Sequence, residues 1–138
     1  MVLVEIDGNA IMVETMKNRT DGEMQKAYLA LLDRLELSGI TPKRHILDNE
    51  ASKDFKMLIR RKYMHYELVP PDNHRRNKAE RAIHTFKNHL KAILAGVDPS
   101  FPFHLWDRLL AQAETTLNLT RMANPAPKVS AYAYLHGP

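Results

Sequence analysis

The sequence predicts an α/β fold with a mixed sheet, on three observations. Short apolar runs of strand length alternate with longer segments whose apolar residues recur at helical spacing. Gly, Pro, Asn and Asp punctuate the boundaries between them. The resulting order, β-β-α-β-α-β-α-α, opens with a hairpin and continues with strand–helix alternation, so antiparallel and parallel neighbours are both expected.

Val2-Leu3-Val4-Glu5-Ile6 reads as the first strand and Ala10 to Met16 as the second. Asp7-Gly8-Asn9 joins them with residue types that tolerate positive φ in a tight turn. Thr20-Asp21-Gly22-Glu23 has the spacing of a capping box, Thr at N-cap and Glu at N3. The helix it introduces turns Met24, Ala27, Tyr28, Leu31, Leu32 and Leu35 inward and ends at Ser38-Gly39. His45-Ile46-Leu47 is a short strand running into Asp48-Asn49-Glu50. A second helix spans about Ser52 to Lys62 with Phe55, Leu58 and Ile59 inward, and Tyr66-Glu67-Leu68-Val69 is a strand stopped by Pro70-Pro71. A polar, basic loop covers Asp72 to Arg76. A long helix then runs from about Asn77 to Ala95, closed by Gly96. The last helix, about Pro102 to Met122, turns Phe103, Trp106, Leu109, Leu110, Ala113 and Leu117 inward, and Asn124-Pro125 ends it.

Composition narrows the classes. The 138 residues suit one domain spanning 1–138, and 44% hydrophobic with 26% charged residues suits a buried core. No apolar run approaches the ~20 residues of a membrane helix. Cysteine is absent, which excludes disulfides, thiolate zinc sites and cysteine nucleophiles within the chain. An intracellular location is the corresponding expectation.

Charge is unevenly spread. Residues 1–40 carry four Lys/Arg against seven Asp/Glu, residues 41–98 thirteen against seven, and residues 99–138 three against two. A basic middle on a nearly neutral frame is the pattern of a nucleic-acid-binding surface, with a solvated lysine-rich helix face as the competing reading.

Two carboxylates stand out. Asp48 lies at the C-terminal end of a strand, where ligands bind in open α/β sheets. Glu80 is expected in the first turn of the long helix. Together they could serve a hard cation that favours oxygen; alternatively, Glu80 favours the helix N-terminus and Asp48 caps a turn. At 100° per residue, Glu80, His84, Lys87 and Lys91 fall within about 60° of one another. Beside them runs an apolar stripe, Ala79, Ile83, Phe86, Leu90 and Leu94. Arg75, Arg76, Lys78 and Arg81 surround Glu80 from the loop side. A carboxylate ringed by cations suits a metal site that handles a phosphodiester. His84 and His89 do not share a face, and His45 and His65 read as strand packing. Asn18-Arg19-Thr20 and Asn118-Leu119-Thr120 match glycosylation sequons.

Leu47-Asp48-Asn49, Leu68-Val69-Pro70-Pro71 and Arg76-Asn77-Lys78-Ala79-Glu80-Arg81, in that order, resemble the second half of a retroelement integrase core. The tail from Asn124, with Ser130-Ala131-Tyr132 and Leu135-His136-Gly137, is similar to the segment closing that domain in copia-type LTR retrotransposons. Glu50 stands where the family usually has Gly, and Arg76-Asn77 where it usually has Asn-Gly.

The resemblance implies a ribonuclease-H-like mixed sheet flanked by helices and a two-metal DNA cutting and joining reaction. Asp48 and Glu80 would hold magnesium or manganese. Lys87 and Lys91 would contact phosphates, with Arg75, Arg76 and Lys78 flanking the cut site. The partners would be retroelement ends and target DNA, a homodimer is a compatible assembly, and the nucleus is the place of action. The family's first catalytic aspartate sits on a strand preceding the hairpin, so the chain is expected to be N-terminally incomplete, without the sheet's first central strand. Asp7 then reads as a turn residue, with a substitute metal role as its alternative. The rival reading is a catalytically inactive relic that only binds nucleic acid or dimerises.

Overall fold

The hairpin forms where turn chemistry places it, with shorter arms. The computed structural model describes residues 1–48, 51–62, 64–70 and 74–137, without the side chains of residues 48 and 74–77. Asn49-Glu50 and Pro71-Asp72 therefore lie outside the described residues. Strand β1 (Val2–Glu5) pairs antiparallel with β2 (Ala10–Val13), in the register Val2↔Val13 to Glu5↔Ala10. The turn takes its positive φ at Asn9, +55°. Gly8 is required for space instead, because a Cβ there would collide with the ring of Tyr134. Asp7 lies in this turn, where its amide donates to Glu5 Oε1 at 3.2 Å and its carbonyl accepts from the Asn124 amide at 2.8 Å.

Helix α1 (Asp21–Leu37) has Thr20 at its N-cap, but the capping box does not form. The Thr20 hydroxyl donates to Asn18 Oδ1 at 2.6 Å, and Glu23 Oε2 accepts from the Lys17 amide at 3.2 Å. The preceding loop supplies partners closer than the helix's own first turn. Gly39, at φ +76°, closes the helix with its amide on the Glu36 carbonyl. Strands β3 (Arg44–Asp48) and β4 (His65–Val69) each start before the expected position and pair in parallel, Arg44↔His65 to Asp48↔Val69. Between them, α2 (Lys53–Arg61) is capped by Ser52, whose Oγ accepts from the Phe55 amide at 3.1 Å.

Helix α3 (His74–Gly96) begins three residues earlier than expected. Residues 74–76 therefore belong to its first turn rather than to a loop; His, Arg and Arg are tolerated there, and no Gly interrupts them. The last long segment is two pieces. Phe103–Leu109 is 3₁₀-helical with a break at Leu105, and α4 (Leu110–Thr120) follows. Because the 3₁₀ turn shifts the side-chain phase, Phe103 is 70% and Trp106 46% exposed, against the core role expected of them. A short helix, α5 (Ala131–His136), is capped by Ser130 Oγ, which accepts from the Ala133 amide at 3.1 Å.

The described residues pack as two compact units: Met1 with Glu14–Lys78, and Val2–Val13 with Ala79–Pro138. The first buries Ala27, Tyr28, Leu31, Leu32 and Leu35 of α1 with Phe55 and Ile59 of α2. Leu58, expected inward, is only half-buried. The Tyr28 ring lies 4.8 Å from that of Phe55 and 5.1 Å from that of His45, and its hydroxyl is 2.9 Å from His45 Nδ1. His65, by contrast, is exposed at the start of β4.

In the second unit the core is Ile11, Val13, Ala82, Phe86, Ala113 and Leu117, flanked by Val2, Val4, Leu90, Ile93 and Leu110. The buried stripe of α3 is thus rotated from the expected one, and Ala79 and Ile83 are exposed. Fully burying such side chains contributes about 1.5–3 kcal/mol each.

Helix α4 also seals one edge of the hairpin with polar atoms. Ile11 faces Val4 across the ladder yet donates its amide to Asn118 Oδ1 at 2.9 Å, while its carbonyl accepts from Asn118 Nδ2 at 2.9 Å. The Val13 amide donates to Glu114 Oε2 at 2.9 Å, and Arg121 Nε donates to the Asn9 carbonyl at 2.8 Å. The side chains of α4 thus stand in for a third strand on β2. Asn118, 2% exposed and with both amide atoms engaged, is no glycosylation acceptor in this fold.

Candidate active site and nucleic-acid interface

Asp48 is the last residue of β3, opposite Val69 in the parallel ladder of the first unit. That end of a parallel strand is where α/β folds gather ligand-binding groups. What holds the strand is explicit three residues earlier, at His45. Burial pushes its imidazole down to about 4, so the ring is neutral near pH 7, and its Nδ1 is hydrogen-bonded with the Tyr28 hydroxyl at 2.9 Å. Burial also raises the Tyr28 phenol above its ordinary value, which keeps it a donor.

Glu80 belongs to the second unit. Since α3 starts at His74, Glu80 sits in its second turn rather than its first, and it is exposed. His84, Lys87 and Lys91 are exposed on the same face, as their spacing requires. His84 Nε2 is paired with Asn88 Nδ2 at 3.1 Å, and His89 Nε2 points to Thr116 Oγ1 at 2.7 Å, so the two histidines serve different neighbours. Arg75, Arg76 and Lys78 lie on the first turns of α3, within the first unit. Among the described residues, no group of three or more His, Asp or Glu forms a metal cage.

Among the described residues, some cations of 41–98 have local partners. In the first unit Arg44 pairs with Glu67 at 3.7 Å, and Arg60 lies 5.1 Å over the Tyr66 ring. Lys43, Arg61 and Lys62 border an open trough between α1 and α2 that sequence reasoning missed. The signal was the exposed Lys43, next to Pro42 and off any helix. Lys87 and Lys91 lie on the face of α3 that carries Glu80.

No protein-family profile matches the chain, and no curated protein does. Solved structures do. The catalytic core domain of BIV integrase superposes with a TM-score of 0.71 at 18% identity, covering 97% of this chain and 82% of that one. A chain of the simian T-cell lymphotropic virus intasome in complex with PP2A regulatory subunit B56 gamma superposes with a TM-score of 0.75 at 20% identity. That match covers 99% of this chain and 48% of the other, so the present chain spans about half its length. The fold is that of an integrase catalytic core. On it, Asp48 closes a parallel strand, and the long helix carries Glu80 with a basic continuation. No helix among the described residues is long and apolar enough to cross a membrane.

Proposed function

We propose that this chain is a DNA-binding integrase-core segment, of the copia-type lineage its motifs resemble, whose complete form cuts and joins DNA. One observation carries the reading: in an integrase-core fold, α3 presents Glu80, His84, Lys87 and Lys91 together on one solvent-facing stripe. A carboxylate followed by two lysines at one-turn spacing suits a phosphodiester backbone running along the helix.

Asp48 and Glu80 would hold magnesium or manganese, since both are hard oxygen donors and neither cation needs soft ligands. When bound, such a metal supplies a Lewis acid that activates a water or 3′-hydroxyl and stabilises the leaving oxygen. Lys87 and Lys91 neutralise phosphates and fix the register of the duplex. Arg75, Arg76 and Lys78, on the first turns of the same helix, flank the cut. The DNA is the pair of retroelement ends and their target, assembled by a homodimer in the nucleus.

The test is a salt titration of duplex binding. Lys87→Ala with Lys91→Ala should weaken binding evenly across sequences and make the log–log salt slope shallower by about two, one per lost phosphate contact. Unchanged binding would remove the helix face from the interface. Magnesium should raise the melting temperature of the wild type and leave Asp48→Asn unmoved; an equal rise in both takes Asp48 out of the metal site. DNA binding without any metal response in the wild type would leave the binding-only relic as the reading.

A further inference from the structure

Beside Lys87 and Lys91, α3 carries a polar pair that phosphate contact does not use. Asn88 Nδ2 lies 3.1 Å from His84 Nε2, and both residues are exposed, one turn apart in the helix interior. A carboxamide nitrogen can only donate, so the imidazole accepts on Nε2 and carries its proton on Nδ1. The bond therefore fixes which end of the Asn88 side chain is nitrogen and which is oxygen. One amide hydrogen is used on His84. The other, and Oδ1 beside it, have no hydrogen-bond partner among the described residues. Helix stability does not account for the pair. An exposed side-chain bond between neighbouring turns adds little, and His and Asn are both weaker helix formers than the Lys, Glu or Gln such positions usually hold. At 100° per residue, Asn88 stands about 40° from His84 and about 60° from Lys91. A duplex whose phosphates meet the lysines thus has a groove next to the free end of the carboxamide.

We propose that Asn88 reads an adenine in the major groove of the bound duplex, with His84 as the positioning residue that holds its carboxamide. This inference rests on the reading of α3 as the DNA-facing helix and adds a sequence preference to it. The major groove admits an α-helix and shows a distinct pattern for each base. Adenine presents the N7 acceptor beside the N6 amino donor, which is the complement of one amide hydrogen beside Oδ1. Guanine presents two acceptors, N7 and O6, and one of them would meet Oδ1. Cytosine presents a donor alone, and thymine an acceptor beside a methyl group. Lys87 and Lys91 cannot make this choice, because an ammonium carries donors only. They fix the duplex by its phosphates, and Asn88 selects among the sequences so held. His84 acts before the DNA arrives. With Nδ2 already engaged, the carboxamide is kept in one of its two orientations, and base contact need not stop it rotating.

The experiment uses the full chain and a pool of short duplexes with a randomised centre, from which bound molecules are selected and sequenced. The selected duplexes should share an adenine at one position. Replacing that adenine by guanine, or by 7-deazaadenine, which lacks the N7 acceptor, should weaken binding about tenfold. Asn88→Ala should bind the adenine and guanine duplexes alike, with the salt slope of the wild type, since no phosphate contact is lost. His84→Ala should reduce the preference about twofold to threefold, and His84→Gln, which can still accept from the Asn88 amide, should restore it. A preference for adenine that persists in Asn88→Ala would overturn the proposal by moving the readout elsewhere. No enriched base in the wild type would overturn it as well. If Lys87→Ala with Lys91→Ala still weakens binding in that case, α3 remains a DNA-facing helix that is blind to sequence. If the lysine pair has no effect either, the reading of α3 fails and this inference falls with it.

Discussion

The two small sheets are anchored to their helices by opposite chemistries. In the hairpin unit, α4 uses carboxamide and carboxylate atoms of Asn118 and Glu114 to bond the backbone of β2 directly. In the other unit, α1 reaches β3 through a side chain, with the Tyr28 hydroxyl on the His45 ring and Phe55 packed at a tilt against the Tyr28 ring. The first device occupies outward-facing backbone groups of β2, and its Asn118 amide does not titrate. The second depends on an imidazole remaining neutral. A strand edge can thus be finished by backbone mimicry, whereas a strand end near a candidate ligand site is held by a group that titrates.

The largest effect expected is at Asn118. Asn118→Leu keeps the branched shape of the side chain but strands the Ile11 amide and carbonyl in a site that is 2% exposed. Leaving buried backbone groups unpaired costs roughly 1–3 kcal/mol each, so a loss of roughly 2–6 kcal/mol is expected in urea unfolding. A loss under about 1 kcal/mol would show that water replaces the amide and that the edge is not sealed as described.

The uneven legibility of the chain follows from the same contrast. Turn and cap chemistry is local, and the Asp7-Gly8-Asn9 hairpin, Ser38-Gly39 and the Ser52 region are readable because neighbours in sequence decide them. Asn118 is engaged 107 residues away, and nothing near it says so except that it lies beside Ala113 and Leu117 on an inward face. Glu114, four residues before, shares that position, and the pair was the available signal. Trp106 was misread because apolar periodicity presumes α-helical phase, which the 3₁₀ turn breaks. The candidate site was legible as a motif order, Asp48 then Glu80, and as the lysine spacing on α3. The early start of α3 was not, because His74 and Arg75 carry no strong helix-start signal.

The second expected effect isolates the other device. His45 titrates near 6.5 when unfolded and at about 4 when folded. Between those values the unfolded chain binds a proton that the folded chain does not. This contribution is therefore fully present above about pH 6.5 and is lost as pH falls toward 4. At pH 5 the loss amounts to about 2 kcal/mol. His45→Gln should flatten the stability profile between pH 7 and 5 relative to the wild type, while Asn118→Leu should lower both points alike. Parallel profiles for His45→Gln and the wild type would mean that the ring is solvated and the anchor is Phe55 alone.

The smallest effect compares the two serine caps, one in each unit. Ser130 Oγ accepts one amide, whereas Ser52 Oγ accepts the Phe55 amide and donates to Asp21 Oδ1 at 2.6 Å, tying α2 to the start of α1. Ser130→Ala should cost about 1 kcal/mol, the ordinary value of an N-cap. Ser52→Ala should cost more by about 0.5 kcal/mol, a modest increment because the Asp21 bond is exposed and water competes for both partners. A double-mutant cycle of Ser52→Ala with Asp21→Ala reads that increment as a coupling energy. If the coupling is zero and the two caps cost the same, the α1–α2 junction rests on Tyr28 and Phe55 alone. The first unit would then depend on the one aromatic cluster that also carries its titrating group, and acid should loosen α2 and β3 together.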